Sequence, residues 1–466
     1  MLRQRLATIL VATMAVQLVV GCAGASPTPA PTVAPTVAPT AAPTAAPTAA
    51  PTSSSTAAAD CLAETAPSTA KELHILGFAG PDYDALVAIG KDYTAKTGVK
   101  ITVEDVGRDN LITKIRTRFA ARTSDFDIAY QENEPMGGYA DAGWLAPMDD
   151  VLATLPCFDK ASYVDSMWKM VQYKGKTYGL SFMIPFVFFF YRKDLIQSPP
   201  ETWDELLTVA KQFTKSINPN SPTKYGVTFA TKDEYGYKYW LTWLWSFGGR
   251  VFDTNGKVVI NSPEGVKALQ YLVDLVQTYK VAPPEVTTNL YPDTEALAQN
   301  GDVAMAFQWN AAAAELGSAT KSPKINGNMA VALVPGVKQA DGSILRTPYM
   351  HGLTFVVNSA SPNVADSIKF IAWYNTNARR AALEFGQSPP IAALYTDPTM
   401  AQQLGDWWTK MGEYLKIGVA TEESAAKAVW VMQLSKDINQ AIAGQVTAQQ
   451  ALDQAAQEIT AAEAAQ

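Results

Sequence analysis

Residues 25–59, ASPTPAPTVAPTVAPTAAPTAAPTAAPTSSSTAAA, divide the chain before any fold can be considered. The tract has no charge, no aromatic ring and almost nothing to bury, so it cannot offset the entropy of ordering itself. Proline at this density favours an extended polyproline II path of about 3 Å per residue, a reach on the order of 100 Å. Any packed core has to come from the roughly 390 residues on its carboxyl side, which is more than one core comfortably holds, so two lobes are expected.

In front of the tract, MLRQR carries two Arg and no acid, and the chain from Leu6 to Gly21 is apolar or small. About 15 such residues fall short of the roughly 20 that a membrane-spanning helix needs. A positive start, a short apolar run and small residues at the cut describe a secretory signal over residues 1–21. The stretch VVGC at 19–22 resembles the bacterial lipobox. That resemblance implies acylation of Cys22, which anchors the chain in the membrane by its lipid, with residues 22–70 as the acylated cysteine and its tether. An ordinary signal peptide with an incidental cysteine is the alternative. Cys61 and Cys157 are then left in an oxidising compartment, where disulfides persist. They are expected to pair and staple the end of the tether to the first lobe; two buried free thiols are the other reading.

The formal charge is −7, and the leader takes Arg3 and Arg5 with it. An acidic chain without basic runs is poorly suited to nucleic acid, whose affinity comes largely from Lys and Arg on phosphates. Histidine is nearly absent, with only His74 and His351, and there is no HExxH or paired-cysteine pattern. No metal, cofactor or histidine-based catalytic triad is expected. Trp is plentiful, 11 in all, and clusters.

After the tether the pattern alternates. KELHILGFAG (71–80) reads as a strand, PDYDALVAIGKDYTAKTG (81–98) as a helix opened by Pro81 and Asp82 and stopped by Gly98. VKITVEDVG, NLITKIRTRFAART and FDIAYQENEP continue as strand, helix and strand. This spacing predicts a parallel, doubly wound unit, in which ligands bind beyond the carboxyl ends of the strands. Two loops meet that description, one holding Asp82 and one holding Gln131, Asn133 and Glu134. Of Glu132 and Glu134, one is expected to be an ordinary solvated carboxylate. Further on, Thr202 and Glu205 stand at capping-box distance before a helical run.

Six segments, in order, resemble the extracellular solute-binding proteins of the maltodextrin-binding kind, the receptor half of ABC sugar importers: ALVAIGKDYTAKTGVKITVED, GGYADAGWLAPMDD, GKTYGLSFMIPFVFFFYRKDLIQSPPETWDELLTVAKQFT, NGDVAMAFQWN, GLTFVVNSASPNVADSIKFIAWY and INQAIAGQVTAQQALDQAAQEI. The resemblance implies an α/β, periplasmic-binding-protein-like fold. Two doubly wound lobes would be joined by three hinge crossings, lobe 1 being 71–186 plus 305–353 and lobe 2 being 187–304 plus 354–460. The crossings are expected at 178–195, which holds Phe186, at 300–317 and at 348–361. The resemblance also implies a sugar in the interlobe cleft, a monomeric receptor on the outer face of the bacterial cytoplasmic membrane, and docking on a permease driven by an ATPase. Tyr237, Trp240 and, less strongly supported, Trp243 would line the cleft with Gln308, Trp309, Asn310, His351 and Trp430. Each has a plain alternative: the aromatics at helical spacing also suit a core, and a lone histidine is commonly structural.

A pyranose offers C–H faces to aromatic rings and a rim of hydroxyls to amides and carboxylates. The chain departs from the maltodextrin pattern, however. An Asp-Lys pair after the first strand is replaced by Gly80-Pro81, an Asp-Arg pair in the third-strand loop by Glu134-Pro135, and a hinge Glu by Pro185. A smaller sugar or a polyol is therefore expected in place of maltodextrin. Glu132 and Glu134 keep a polyamine receptor open. A secreted glycoside hydrolase needs two facing carboxylates, and Asp149-Asp150 and Glu422-Glu423 are only neighbours in sequence.

Overall fold

The computed structural model describes residues 68–78, 81–106, 111–132, 135–155, 158–421, 424 and 426–465. Cys22, Cys61, Cys157, Asn133 and Glu134, and with them the lipidation and the disulfide, lie outside the described residues.

Among the described residues, nine strands build the two larger sheets: β1 (Glu72–Gly77), β2 (Lys100–Asp105), β3 (Ile128–Glu132), β4 (Gly179–Met183), β5 (Val187–Arg192), β6 (Tyr225–Thr228), β7 (Val303–Trp309), β8 (Met329–Ala332) and β9 (Leu353–Val357). The first sheet has the order β2-β1-β3-β9-β4 and the second β8-β5-β7-β6. β1 pairs in parallel with both β2 and β3, as strand–helix–strand connections require. Helix α1 (Pro81–Thr97) makes the first of those connections, with Asp82 and Asp84 in its first turn and Gly98 at φ +77° closing it. Helix α2 (Leu111–Ala120) makes the second. β9 runs antiparallel between β3 and β4.

In the second lobe, helix α3 (Trp203–Gln212) starts at the expected capping box: the Thr202 side chain accepts from the Glu205 backbone and Glu205 reaches back. Helix α4 (Tyr235–Ser246) is buried at all 12 of its positions. Helix α5 (Val364–Thr376) packs on the first sheet. Helix α6 (Asp406–Ile417) packs on β8 in the second, where the Tyr414 hydroxyl accepts from Phe189 N and donates to Ala332 O. The chain closes with helices α7 (Lys427–Ile442) and α8 (Ala448–Ala464), which lie against each other.

The crossings differ in part from the expectation. Residues 184–186 link β4 of the first sheet to β5 of the second, inside the expected 178–195. Residues 349–352 lead into β9 of the first sheet, inside the expected 348–361. The stretch 300–317 does not cross: β7 pairs antiparallel with β5 and parallel with β6 along its length. The remaining passage follows α5 and the helix Ala378–Phe385, before α6 packs on β8. The partition is corrected accordingly. Residues 305–350 belong largely to the second lobe, and 353–385 to the first, because strand pairing places β7 and β8 in one sheet and β9 in the other.

Candidate functional site

The carboxyl end of β3 faces the amino-terminal half of α4 across the two lobes. Helical spacing puts Tyr235, Lys238, Tyr239 and Thr242 on one side of α4. Lys238 is only 1% exposed, and its Nζ donates to Glu132 Oε2 at 2.5 Å. Glu132 Oε1 lies 3.7 Å from Nε2 of His351, on the second crossing.

Rings gather round these charges. Trp309, at the end of β7, stands edge-on to His351 with centroids 5.1 Å apart. It is 5.5 Å from Tyr239, 6.1 Å from Tyr349 and 6.2 Å from Tyr235. Burial, with the charges of Tyr235 and Glu295 behind it, holds the Tyr239 phenol well above its ordinary pKa. It stays protonated and donates to Gln308 Oε1 at 3.1 Å. Gln308 Oε1 also accepts from Trp309 N, and Gln308 Nε2 donates to Tyr291 O. Gln308 is therefore a brace behind the rings.

The other residues expected at the site separate into two groups. Gln131 sits on β3 beside Glu132, 3% exposed, and its Nε2 has no hydrogen-bond partner among the described residues. His351 and Trp309 lie at the seam beside Glu132. Asp82 accepts from Gln387 Nε2 at 2.9 Å, tying the first turn of α1 to the chain beyond Phe385. Tyr237 packs 5.8 Å from Trp430 and 6.4 Å from Tyr349.

Five of the expected residues pack within the framework. Phe186 is fully buried against Tyr414, with centroids 5.6 Å apart. Asn310 pins the hinge: its Oδ1 accepts from Phe186 N at 2.9 Å and its Nδ2 donates to Ser388 Oγ at 2.9 Å. Ser388 O in turn accepts from Ile184 N. Trp243 stacks on Trp203 at 5.0 Å and packs on Phe307 at 4.7 Å, inside the second lobe. Trp430 donates its indole N–H to Glu463 Oε1 at 2.8 Å, which fixes it between α7 and α8. Trp240 lies four residues after Gly236, whose side of α4 backs on the carbonyls of Ser435 and Thr231. It is fully buried there, and its indole N–H has no partner among the described residues.

Sequence reasoning gave no role to Lys238, Tyr235, Tyr239 or Tyr349, and read Glu132 as a solvated loop carboxylate or a polyamine contact. The signal for Lys238 was present: one lysine inside the aromatic run EYGYKYWLTWLWS has to find an acid if it is buried. Asp149, raised as half of a carboxylate pair, accepts from Thr177 N and Oγ1. Among the described residues no group of three His, Cys, Asp or Glu could hold a metal, and no helix is long and apolar enough to cross a membrane.

Comparison with known proteins agrees with this architecture. The family described as bacterial extracellular solute-binding protein matches residues 80–381. A probable ABC transporter-binding protein of Deinococcus radiodurans is 27% identical over 330 residues, 68% of this chain and 75% of its own length. The maltotriose-binding protein of Pyrococcus abyssi is 24% identical over 278 residues, 58% of this chain and 56% of that one, so the match spans little more than half of that relative. Maltose-bound MalE3 of T. maritima superimposes with a TM-score of 0.74 at 24% identity, covering 84% of this chain and 99% of that one. A solute-binding protein of Agrobacterium radiobacter K84 in complex with ribitol gives 0.74 at 22% identity, covering 84% and 98%. With two mixed α/β lobes, a hinge between them and a family match that runs through both, the chain belongs to the bacterial extracellular solute-binding proteins of ABC transporters.

Proposed function

We propose that the chain captures a neutral, hydroxyl-rich solute, a small sugar or a polyol, in the seam between its lobes and delivers it to a membrane permease. In this reading the lipid on Cys22 and the tract at 25–59 hold it at the outer face of the cytoplasmic membrane. The observation that carries the solute class is the cluster of Trp309, Tyr239 and Tyr349 beside His351 and the Glu132–Lys238 pair. The rings offer faces to C–H groups. Leaving the buried Gln131 Nε2 without a partner costs about 1–3 kcal/mol, which a solute hydroxyl would recover. The solutes named for similar proteins, maltotriose, maltose and ribitol, are all neutral and polyhydroxylated. A polyamine is disfavoured, because Lys238 already occupies the Glu132 carboxylate.

Calorimetry and thermal shift against maltose, maltotriose, ribitol, mannitol and putrescine test the reading. At least one of the neutral solutes should bind and be recovered intact. Binding of putrescine alone, or hydrolysis of a bound sugar, would overturn it.

A further inference from the structure

The first crossing is clamped on either side of one proline. Ile184 N donates to Ser388 O at 2.8 Å, and Ile184 O accepts from Ser388 Oγ at 2.8 Å. Ser388 goes with the first lobe: Gln387 before it donates to Asp82 of α1, and Pro390 after it accepts from Val164 N. Phe186 is held from the second lobe. Its carbonyl accepts from Asn310 N at 3.0 Å, one step beyond the last pair of the β5–β7 ladder. The reciprocal acceptor would be the Asn310 carbonyl, but Ala313 N takes that oxygen as the chain turns at Asn310–Ala312. Asn310 Oδ1 accepts from Phe186 N in its place, at 2.9 Å. Ile184 is thus tied to one lobe and Phe186 to the other, with Pro185 between them. The proline ring fixes its own φ and restricts Ile184 ahead of it, so a turn at this point is left largely to Pro185 ψ and Phe186 φ. The Asn310 amide bridges the two clamps: its Nδ2 donates to Ser388 Oγ at 2.9 Å and reaches Ile184 O at 3.4 Å. All five residues are buried, where a polar group that loses its partner is costly.

We propose that the lobes turn at Pro185 and that Asn310 is the positioning residue that limits the turn. A small rotation keeps the Asn310–Ser388 bond; a wider one has to break it. Trp309 precedes Asn310 in extended backbone, φ −62° and ψ 145°, so the two side chains point to opposite sides. The ring goes to His351 at the seam and the amide into the hinge. A limited turn returns the Trp309 ring to the same place against the first lobe at every closure. The inference goes beyond the solute reading, and its test uses no solute, so failure of every neutral solute to bind would leave it standing.

Spin labels attached through keto amino acids in place of Lys91 on α1 and Lys257 in the second lobe, both exposed, report the interlobe distance by double electron–electron resonance and leave the cysteines untouched. In the solute-free protein, Asn310→Ala, Ser388→Ala and Pro185→Gly should each broaden the distance distribution, whatever its mean. The two alanines remove the same bond, so the double variant should be no broader than Asn310→Ala alone. A merely structural asparagine would lower the melting temperature of the same samples and leave the width unchanged. Ser388→Ala keeps the backbone bond to Ile184 N and, with Pro185→Gly, decides the matter where Asn310→Ala does not fold. A width for Ser388→Ala or Pro185→Gly equal to that of the unchanged chain, or broadening that adds in the double variant, would overturn the proposal.

Discussion

Replacing Asp437 by asparagine should stabilise the protein at pH 8 and leave it nearly unchanged near pH 4. Asp437 lies on α7, 1% exposed, against Glu458 of α8. Its Oδ1 accepts from Gln433 and Gln454, at 3.2 and 3.3 Å, but Asp437 Oδ2 and Glu458 Oε2 are both buried and lack partners among the described residues. A proton on Asp437 would be shared with the Glu458 carboxyl, whose hydrogen bond and charge both raise the Asp437 pKa. Burial first, then the Glu458 charge, pushes the Asp437 carboxyl from 3.8 up to about 6, against small opposing effects of Gln433 and Lys436. The folded protein therefore holds this proton more tightly than the unfolded chain. The stability it lends is fully present below about pH 4 and is lost as pH rises through about 6. The rise from 3.8 to about 6 sets a ceiling of about 3 kcal/mol. Glu458 is only half-buried, and screening by water there lowers the expected gain from the asparagine to about 1–2 kcal/mol. Its amide would donate to Glu458 at every pH. Urea unfolding of both proteins between pH 4 and 8 measures this directly. Parallel pH profiles, or an asparagine variant that is less stable at pH 8, would refute the shared proton.

Trp243 and Trp309, both expected at the cleft from sequence, should part company. Trp243→Ala should cost about 3–5 kcal/mol of stability without changing which solute the folded protein prefers. Trp309→Ala should lower solute affinity about tenfold or more, roughly 1.4 kcal/mol, with a smaller loss in thermal stability; calorimetry and thermal unfolding on the same samples compare them. Gln131→Met should weaken solute binding while leaving the solute-free melting temperature level or raised, since it removes an amide that has no partner there. Gly226→Ala should destabilise by about 1–3 kcal/mol, because a Cβ on β6 would meet the Ala210 carbonyl oxygen at 2.1 Å, and backbone cannot step aside. Circular dichroism against temperature checks it.

Where the fold is set by neighbours along the chain, the sequence was readable. Pro81 and Gly98 bound α1, and Thr202 with Glu205 opens α3, because caps and left-handed stops are local chemistry. The misplaced crossing at 300–317 has a different cause. A strand in a sheet buried on both faces and a strand leaving one lobe for the next are both unbroken apolar runs, and β7 is buried at all seven positions. Only its pairing with β5 and β6 distinguishes them, and pairing is not local. The same limit explains the tryptophans. α4 is buried all round, so no apolar face marks which side meets the other lobe. Trp243 and Tyr239 are one turn apart, yet Trp243 packs on Trp203 while Tyr239 meets Trp309. Lys238 is the residue that breaks the symmetry. Any buried ammonium obliges an acid to come to it, and here the acid comes from the opposite lobe. The side of α4 that carries Lys238 must then be the side that meets the first lobe, and Tyr235 and Tyr239 share it by helical spacing. The orientation of the helix at the site is thus set by its one charge, although eight of its twelve residues are aromatic or leucine.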